Sequence, residues 1–212
     1  MNMFITTTTF RRSVLALALS ACATLASAAS TFHIELDTAG FGSNGWIDLQ
    51  FNPSPVDPVA AWADLSGFAG FGDSSTAQAV GVTGSLASGF RMSTAGGPSD
   101  LFHEVSFGGG KVSFNVTIDS DAGASQSGSA FSVALFNAAQ DSVLGATGAD
   151  GYSLLHLDWT PAANAGGSGS LVASGFNSAS VHVSAVPEPT TWAMLGAGLA
   201  LVGLARRRKL QA

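Results

Sequence analysis

Apolar and polar residues alternate along most of the middle of this chain. Phe32, Ile34 and Leu36 fall on one side of an extended backbone, with His33, Glu35 and Asp37 on the other. Ile47, Leu49 and Phe51 oppose Trp46, Asp48 and Gln50, and Val112, Phe114, Val116 and Ile118 oppose Lys111, Ser113, Asn115 and Thr117. Phe131, Val133 and Leu135 repeat the pattern, as do Leu155, Leu157 and Trp159. Successive side chains of a strand point to opposite faces, so a period of two marks strands buried on one side. Further strands are predicted over 62–71, 79–82, 85–92, 101–107 and 180–186. Turn chemistry separates them at Gly96-Gly97-Pro98, Gly108-Gly109-Gly110, Asp121-Ala122-Gly123 and Asp150-Gly151. Of the 26 glycines, all but Gly196, Gly198 and Gly203 lie within residues 29–186, which argues against long helices there.

Many short strands, each with one apolar face, imply two packed sheets. The expectation is an all-β domain, a two-sheet β-sandwich of jelly-roll-like or immunoglobulin-like plan, and the pattern does not choose between those topologies. Residues 53–58, Pro-Ser-Pro-Val-Asp-Pro, predict a loop crossing between sheets, and the Gly/Ser-rich residues 162–170 predict a loop inside the domain.

The pattern breaks at both ends. Residues 1–12 carry Arg11 and Arg12 and no acid, residues 14–25 are apolar, and Ala26-Ser27-Ala28 offers small residues where a signal peptidase cuts. This predicts a signal-peptide helix over 1–28, cleaved after Ala28. Leu19-Ser20-Ala21-Cys22 also fits a lipoprotein box, which leaves lipidated Cys22 as the alternative start. Cys22 is the sole cysteine, so no disulfide forms within one chain and a hydrophobic core must supply the stability. At the other end, Pro187-Glu188-Pro189 precedes an uncharged stretch, 190–205, and then Arg206, Arg207, Arg208 and Lys209. The prolines disfavour strand or helix and leave an extended tag. As a helix, 190–205 spans about 24 Å at about 1.5 Å per residue, short of a hydrocarbon core of about 30 Å. Trp192 at one end and snorkelling cations at the other make up the difference and hold the C-terminus in the cytoplasm.

Tag, apolar helix and basic end, in that order at the C-terminus, resemble the PEP-CTERM sorting signal of Gram-negative bacteria. The resemblance implies that an exosortase recognises Pro187-Glu188-Pro189, removes the helix and basic end, and passes the protein to the outer surface or an exopolysaccharide matrix. An ordinary single-span tail anchor is the plainer reading; a sortase signal is excluded because Leu-Pro-x-Thr-Gly is absent. The body also resembles a family of uncharacterised exosortase substrates. That likeness is carried by Phe32-His33-Ile34-Glu35-Leu36-Asp37-Thr38, by Gly45-Trp46-Ile47-Asp48-Leu49-Gln50-Phe51-Asn52-Pro53 and by Leu65-Ser66-Gly67-Phe68. It extends over most of residues 31–160, supports fold class and localisation, and leaves mechanism open. These readings divide the chain into a signal peptide (1–28), a secreted domain (29–186) and a sorting signal (187–212).

Charge sharpens the picture. The whole chain carries a formal −6, but six of its eight cations lie in the two terminal segments. Within 29–186 only Arg91 and Lys111 face thirteen acidic residues, every one in the chain except Glu188, which leaves −11. Such a surface excludes binding to a nucleic-acid backbone and repels anionic polysaccharide unless divalent cations bridge the two.

Candidate chemistry is sparse. His33, Glu35 and Asp37 share a strand face and are placed for metal or acid-base work, as are His156 and Asp158; the plainer reading of each is a solvent face. His103 and Glu104 lie on opposite faces of their strand. No Gly-x-Ser-x-Gly, His-Glu-x-x-His or phosphate-binding loop occurs. Asp119-Ser120-Asp121 begins like a calcium loop but lacks the downstream bidentate carboxylate, so Asp119 and Asp121 stand as a weak calcium candidate and no other cofactor is expected. Trp46, on the polar face with Asp48 and Gln50, is the best candidate for stacking against a sugar, ahead of Trp62 and Tyr152, although the plainer and favoured reading is that Trp46 closes the edge of the core. The expectation is therefore a non-enzymatic exported protein. It is an inner-membrane-anchored precursor handled by signal peptidase and exosortase, and then lies at the cell surface or in extracellular polysaccharide. The alternatives are a carbohydrate-binding module and a metal-dependent or acid-base enzyme. The enzyme reading requires His33, Glu35, His156 and Asp158 to converge.

Overall fold

Strands form where the alternation is strict, and they stop at glycines, prolines or polar turns. The computed structural model describes residues 31–73, 77–120, 127–145, 147–148, 150–163, 169–175, 180–186, 196 and 198. In chain order the strands are β1 (Thr31–Asp37), β2 (Asn44–Pro53), β3 (Ala61–Ala69), β4 (Gln78–Val80), β5 (Val82–Ser85) and β6 (Gly89–Ser93), then β7 (Ser99–Ser106), β8 (Lys111–Ser120), β9 (Ser129–Asn137), β10 (Leu155–Thr160), β11 (Ser170–Gly175) and β12 (Val181–Val186). All pair antiparallel, in a first sheet ordered β12-β1-β8-β3-β6-β5 and a second ordered β11-β10-β9-β2-β7-β4.

The nesting of these pairs settles the topology that periodicity left open. β1 pairs with β8, β2 with β7 and β3 with β6, while β1, β2 and β3 alternate between the sheets. A long antiparallel ribbon wrapped across two sheets in this way is a jelly roll. β9, β10 and β11 extend the second sheet as a meander, and β12 closes the first sheet beside β1. Proline-rich residues 54–60 connect β2 to β3 and so cross between sheets, as expected.

Two predicted strands are corrected. Residues 79–82 are broken at Gly81, where φ is 66°. β4 before it pairs with β7 in the second sheet, and β5 after it pairs with β6 in the first. Glycine adopts that backbone at little steric cost, and the chain changes sheets there. Residues 85–92 are not one strand but a hairpin turning at 86–88, with Gly89 at φ 89° opening β6. Leu86 and Phe90 carry enough apolar character to mimic a continuous run.

The inward faces match the predicted apolar sets. Ile34, Leu36, Ile47, Leu49, Phe51, Val112, Phe114, Val116, Ile118, Phe131, Val133, Leu135, Leu155, Leu157 and Trp159 join one buried cluster. Each such side chain contributes about 1.5–3 kcal/mol by leaving water. His103 is a polar member of this core: it is fully buried and has edge contacts to Phe71 and Phe90. The strands belong to one compact unit, Ala29–Pro187. The expected signal-peptide helix lies outside the described residues, as does most of the helix expected over 190–205, of which Gly196 and Gly198 are helical. Among the described residues no helix is long and apolar enough to cross a membrane.

Candidate functional site

The outward face of the second sheet gathers residues that the chain spaces far apart. Trp46 of β2 stands opposite Glu104 of β7 and Phe136 of β9, Asp48 opposite Phe102 and Ala134, and Gln50 opposite Asp100 and Ser132. An aromatic cluster follows from this register. Trp46 stacks on Phe102 with centroids 5.0 Å apart and planes within 6°, Phe102 meets Phe136 edge-on at 5.7 Å, and Phe136 meets Tyr152 edge-on at 5.4 Å. All four rings are half-buried on a face that should be solvated.

Beneath them lies Asp48, only 4% exposed. Its Oδ2 accepts the Tyr152 hydroxyl at 2.5 Å and the Gln50 amide Nε2 at 2.9 Å. Tyr152 reaches it from the loop before β10, anchored where the Asp150 carboxylate accepts the Tyr152 and Ser153 N–H groups at 3.0 Å each. Those bonds hold the Asp150 carboxyl below its ordinary range. Asp48 Oδ1 is buried without a protein partner. Asp100 hydrogen-bonds Asp48 when protonated; burial first, then the charge of Asp48, pushes its carboxyl up to about 6. The Tyr152 hydroxyl is likewise raised, by burial and by Asp48. Asp100 thus holds its proton more tightly than an ordinary carboxyl, beside a buried acid and under an aromatic cover.

The polar row continues along β2, with Asn52 Nδ2 at 3.5 Å from Gln50 Oε1, the outer limit of a hydrogen bond. It ends in a cleft of about 370 Å³ lined by Asn52, Pro53, Pro55, Asp158 and Thr160. A second cleft, of about 430 Å³, lies on the first sheet beside Asp64, Thr83 and Arg91.

The other candidates separate. His33 Nδ1 bonds Asn115 Oδ1 at 2.8 Å and Glu35 accepts Lys111 Nζ at 2.7 Å, both on the outward face of the first sheet. His156 and Asp158 belong to β10 in the second sheet and alternate with buried Leu155, Leu157 and Trp159. The four residues lie on opposite outer faces of the sandwich and do not converge. Trp62 sits under the Arg91 guanidinium, 5.5 Å from the ring centroid, and Arg91 also makes a two-bond pair with Asp64 at 2.6 and 2.7 Å. Asp119 Oδ1 accepts the Ser120 N–H at 2.8 Å, while Asp121 lies outside the described residues. Among the described residues no group of three or more His, Asp or Glu side chains is placed to hold a metal. Trp46 sits on the outward face and does not close the edge of the core. Phe102, Phe136 and Asp100 were not anticipated; their signal was two phenylalanines at the solvent parity of otherwise alternating strands.

The two ends of the body also meet. Thr31, the first residue of β1, is the register partner of Val186, the last of β12. Both flanking segments therefore leave the sandwich from the same corner, on adjacent strands. A jelly-roll body whose last strand runs straight into a Pro-Glu-Pro tag defines a class, the exported sandwich protein with a C-terminal address. A family model for the PEP-CTERM protein-sorting motif matches residues 185–209, so the chain carries that motif at its C-terminal end. The motif marks it as exported, processed by an exosortase, and membrane-anchored as a precursor before it reaches the surface. No curated protein and no solved structure matches the chain. Ala26, Ala28, Cys22, Pro187, Glu188, Pro189, Arg206, Arg207, Arg208 and Lys209 all lie outside the described residues.

Proposed function

We propose that this protein is a non-enzymatic structural or adhesive component of the cell surface or of extracellular polysaccharide. It is exported with a cleavable signal peptide over residues 1–28. Residues 190–205 hold it in the inner membrane until exosortase removes the tail. The observation that carries the reading is the sorting motif matched at residues 185–209, which begins within the last strand of the body. The non-enzymatic part is supported by the separation of His33 and Glu35 from His156 and Asp158. Asp48 and Asp100 lie on a sheet face under aromatic rings and line neither of the two clefts described, which is poor ground for acid-base chemistry. Exchanging Pro187 and Pro189 for alanine tests the sorting. Cell fractionation should then find the precursor retained in the inner membrane, and normal release of that variant would refute the assignment.

A further inference from the structure

We infer that the outward face of β7-β2-β9 binds a sugar polymer free of anionic groups, with Trp46 and Phe102 as its stacking platform. This deepens the matrix role proposed above and rests on it. Three observations point to such a ligand. First, four half-buried aromatic rings form a contiguous patch on an outer sheet face that would otherwise be polar, and flat rings suit the apolar faces of hexoses. Second, the polar groups around the platform are hydrogen-bond acceptors or amides. Asp100 and Glu104 flank Phe102 on β7, about 13 Å apart at about 3.4 Å per residue, with Gln50 opposite Asp100. Deep in the same cluster, Asp48 is 4% exposed and its Oδ1 has no partner other than what a protonated Asp100 supplies, so the acceptor character of the face is built in below the rings. Third, charge selects among glycans. The strands of the second sheet contain no Lys or Arg; Arg91 and Lys111, the two cations of residues 29–186, both sit on the first sheet. An anionic polymer meets repulsion here, while hydroxyl or amine donors meet acceptors.

The shared chemistry, donors on a stackable ring, comes either from a neutral glucan or from an amine-bearing glycan. The test uses the full chain in detergent and affinity electrophoresis against hydroxyethylcellulose, laminarin, chitosan and alginate. The expected result is retardation by at least one of the first three polymers and none by alginate. Trp46→Ala should weaken that binding at least tenfold, and Trp62→Ala, on the opposite outer face, should leave it unchanged. Glu104→Gln distinguishes the sources: it lowers retention on chitosan severalfold but spares a neutral glucan. Because Glu104→Gln keeps shape and half-burial, it also guards against misfolding of the tryptophan variant, which circular dichroism checks. Retardation by alginate alone, by none of the polymers, or equally in Trp46→Ala and Trp62→Ala overturns the inference. Each of those outcomes leaves the sorting assignment standing, since sorting is read from cell fractionation.

Discussion

Asp100→Asn should make this protein more stable at neutral pH. The Asp100 carboxyl is pushed from 3.8 up to about 6, by burial first and then by Asp48, so the folded state holds a proton that the unfolded chain releases. More protons bound in the native state mean stability that is present below about pH 4 and lost as pH rises through about 6. The shift of about two units corresponds to about 3 kcal/mol at about 1.4 kcal/mol per unit. Asp100 is only partly buried, and solvent screening reduces this to about 1–2 kcal/mol. Asparagine carries no charge at any pH, and its amide can donate to Asp48 as the protonated Asp100 carboxyl does. Urea unfolding of the exported form at pH 4, 5, 6 and 7.5 measures the effect as the difference between variant and parent. That difference cancels the opposite-signed contributions of Glu35 and Asp150, whose carboxyls are held low by Lys111 and by the Tyr152 and Ser153 N–H groups. The variant should gain about 1–2 kcal/mol at pH 7.5 and nothing at pH 4. Equal stabilisation at both pH values, or a loss at pH 7.5, would refute the raised Asp100 carboxyl.

Other outcomes follow from the same geometry. Tyr152→Phe removes the hydroxyl that Asp48 Oδ2 accepts and should cost about 1.5–3 kcal/mol in urea unfolding, the range for a hydrogen bond to a charged group. His103→Leu should be neutral or stabilising by about 1 kcal/mol, because buried Nε2 has no partner and the Glu104 carbonyl bonded by Nδ1 already accepts the Gly72 N–H at 2.9 Å. A loss beyond about 2 kcal/mol would mean that His103 does something packing does not explain. Gly45→Ala should destabilise by about 1–3 kcal/mol in thermal unfolding, since a Cβ there falls 2.3 Å from the Phe136 carbonyl oxygen and 2.5 Å from the Phe107 ring.

The fold was largely legible because one-sided burial leaves a period-two imprint that no turn or charge erases. β8 reads correctly from Lys111 to Ile118, two residues short of its end at Ser120, because each inward residue is branched or aromatic and each outward one polar. What escaped was information carried by pairing. Nothing local in β1 or β8 says that they are neighbours across more than seventy residues, so jelly-roll and immunoglobulin-like plans stayed equivalent until the register was known. Gly81 and Gly89 were misread because a sheet change and a hairpin look like short apolar runs when only composition is counted. The candidate face was half legible. Trp46, Asp48 and Gln50 stood out on one strand, whereas Asp100, Phe102, Phe136 and Tyr152 join them only through cross-strand register and a loop folded over β9, where Ala134 offers no more than a methyl opposite Asp48. An aromatic at a solvent-parity position was the available clue.

The intact mass of the protein recovered from outside the inner membrane tests the central claim most directly. An exported body with removable ends predicts a species lacking Thr190 to Ala212 and beginning at Ala29, or at a lipid-modified Cys22 if the alternative site is used. A surface-located species whose mass still includes residues 190–212 would contradict it.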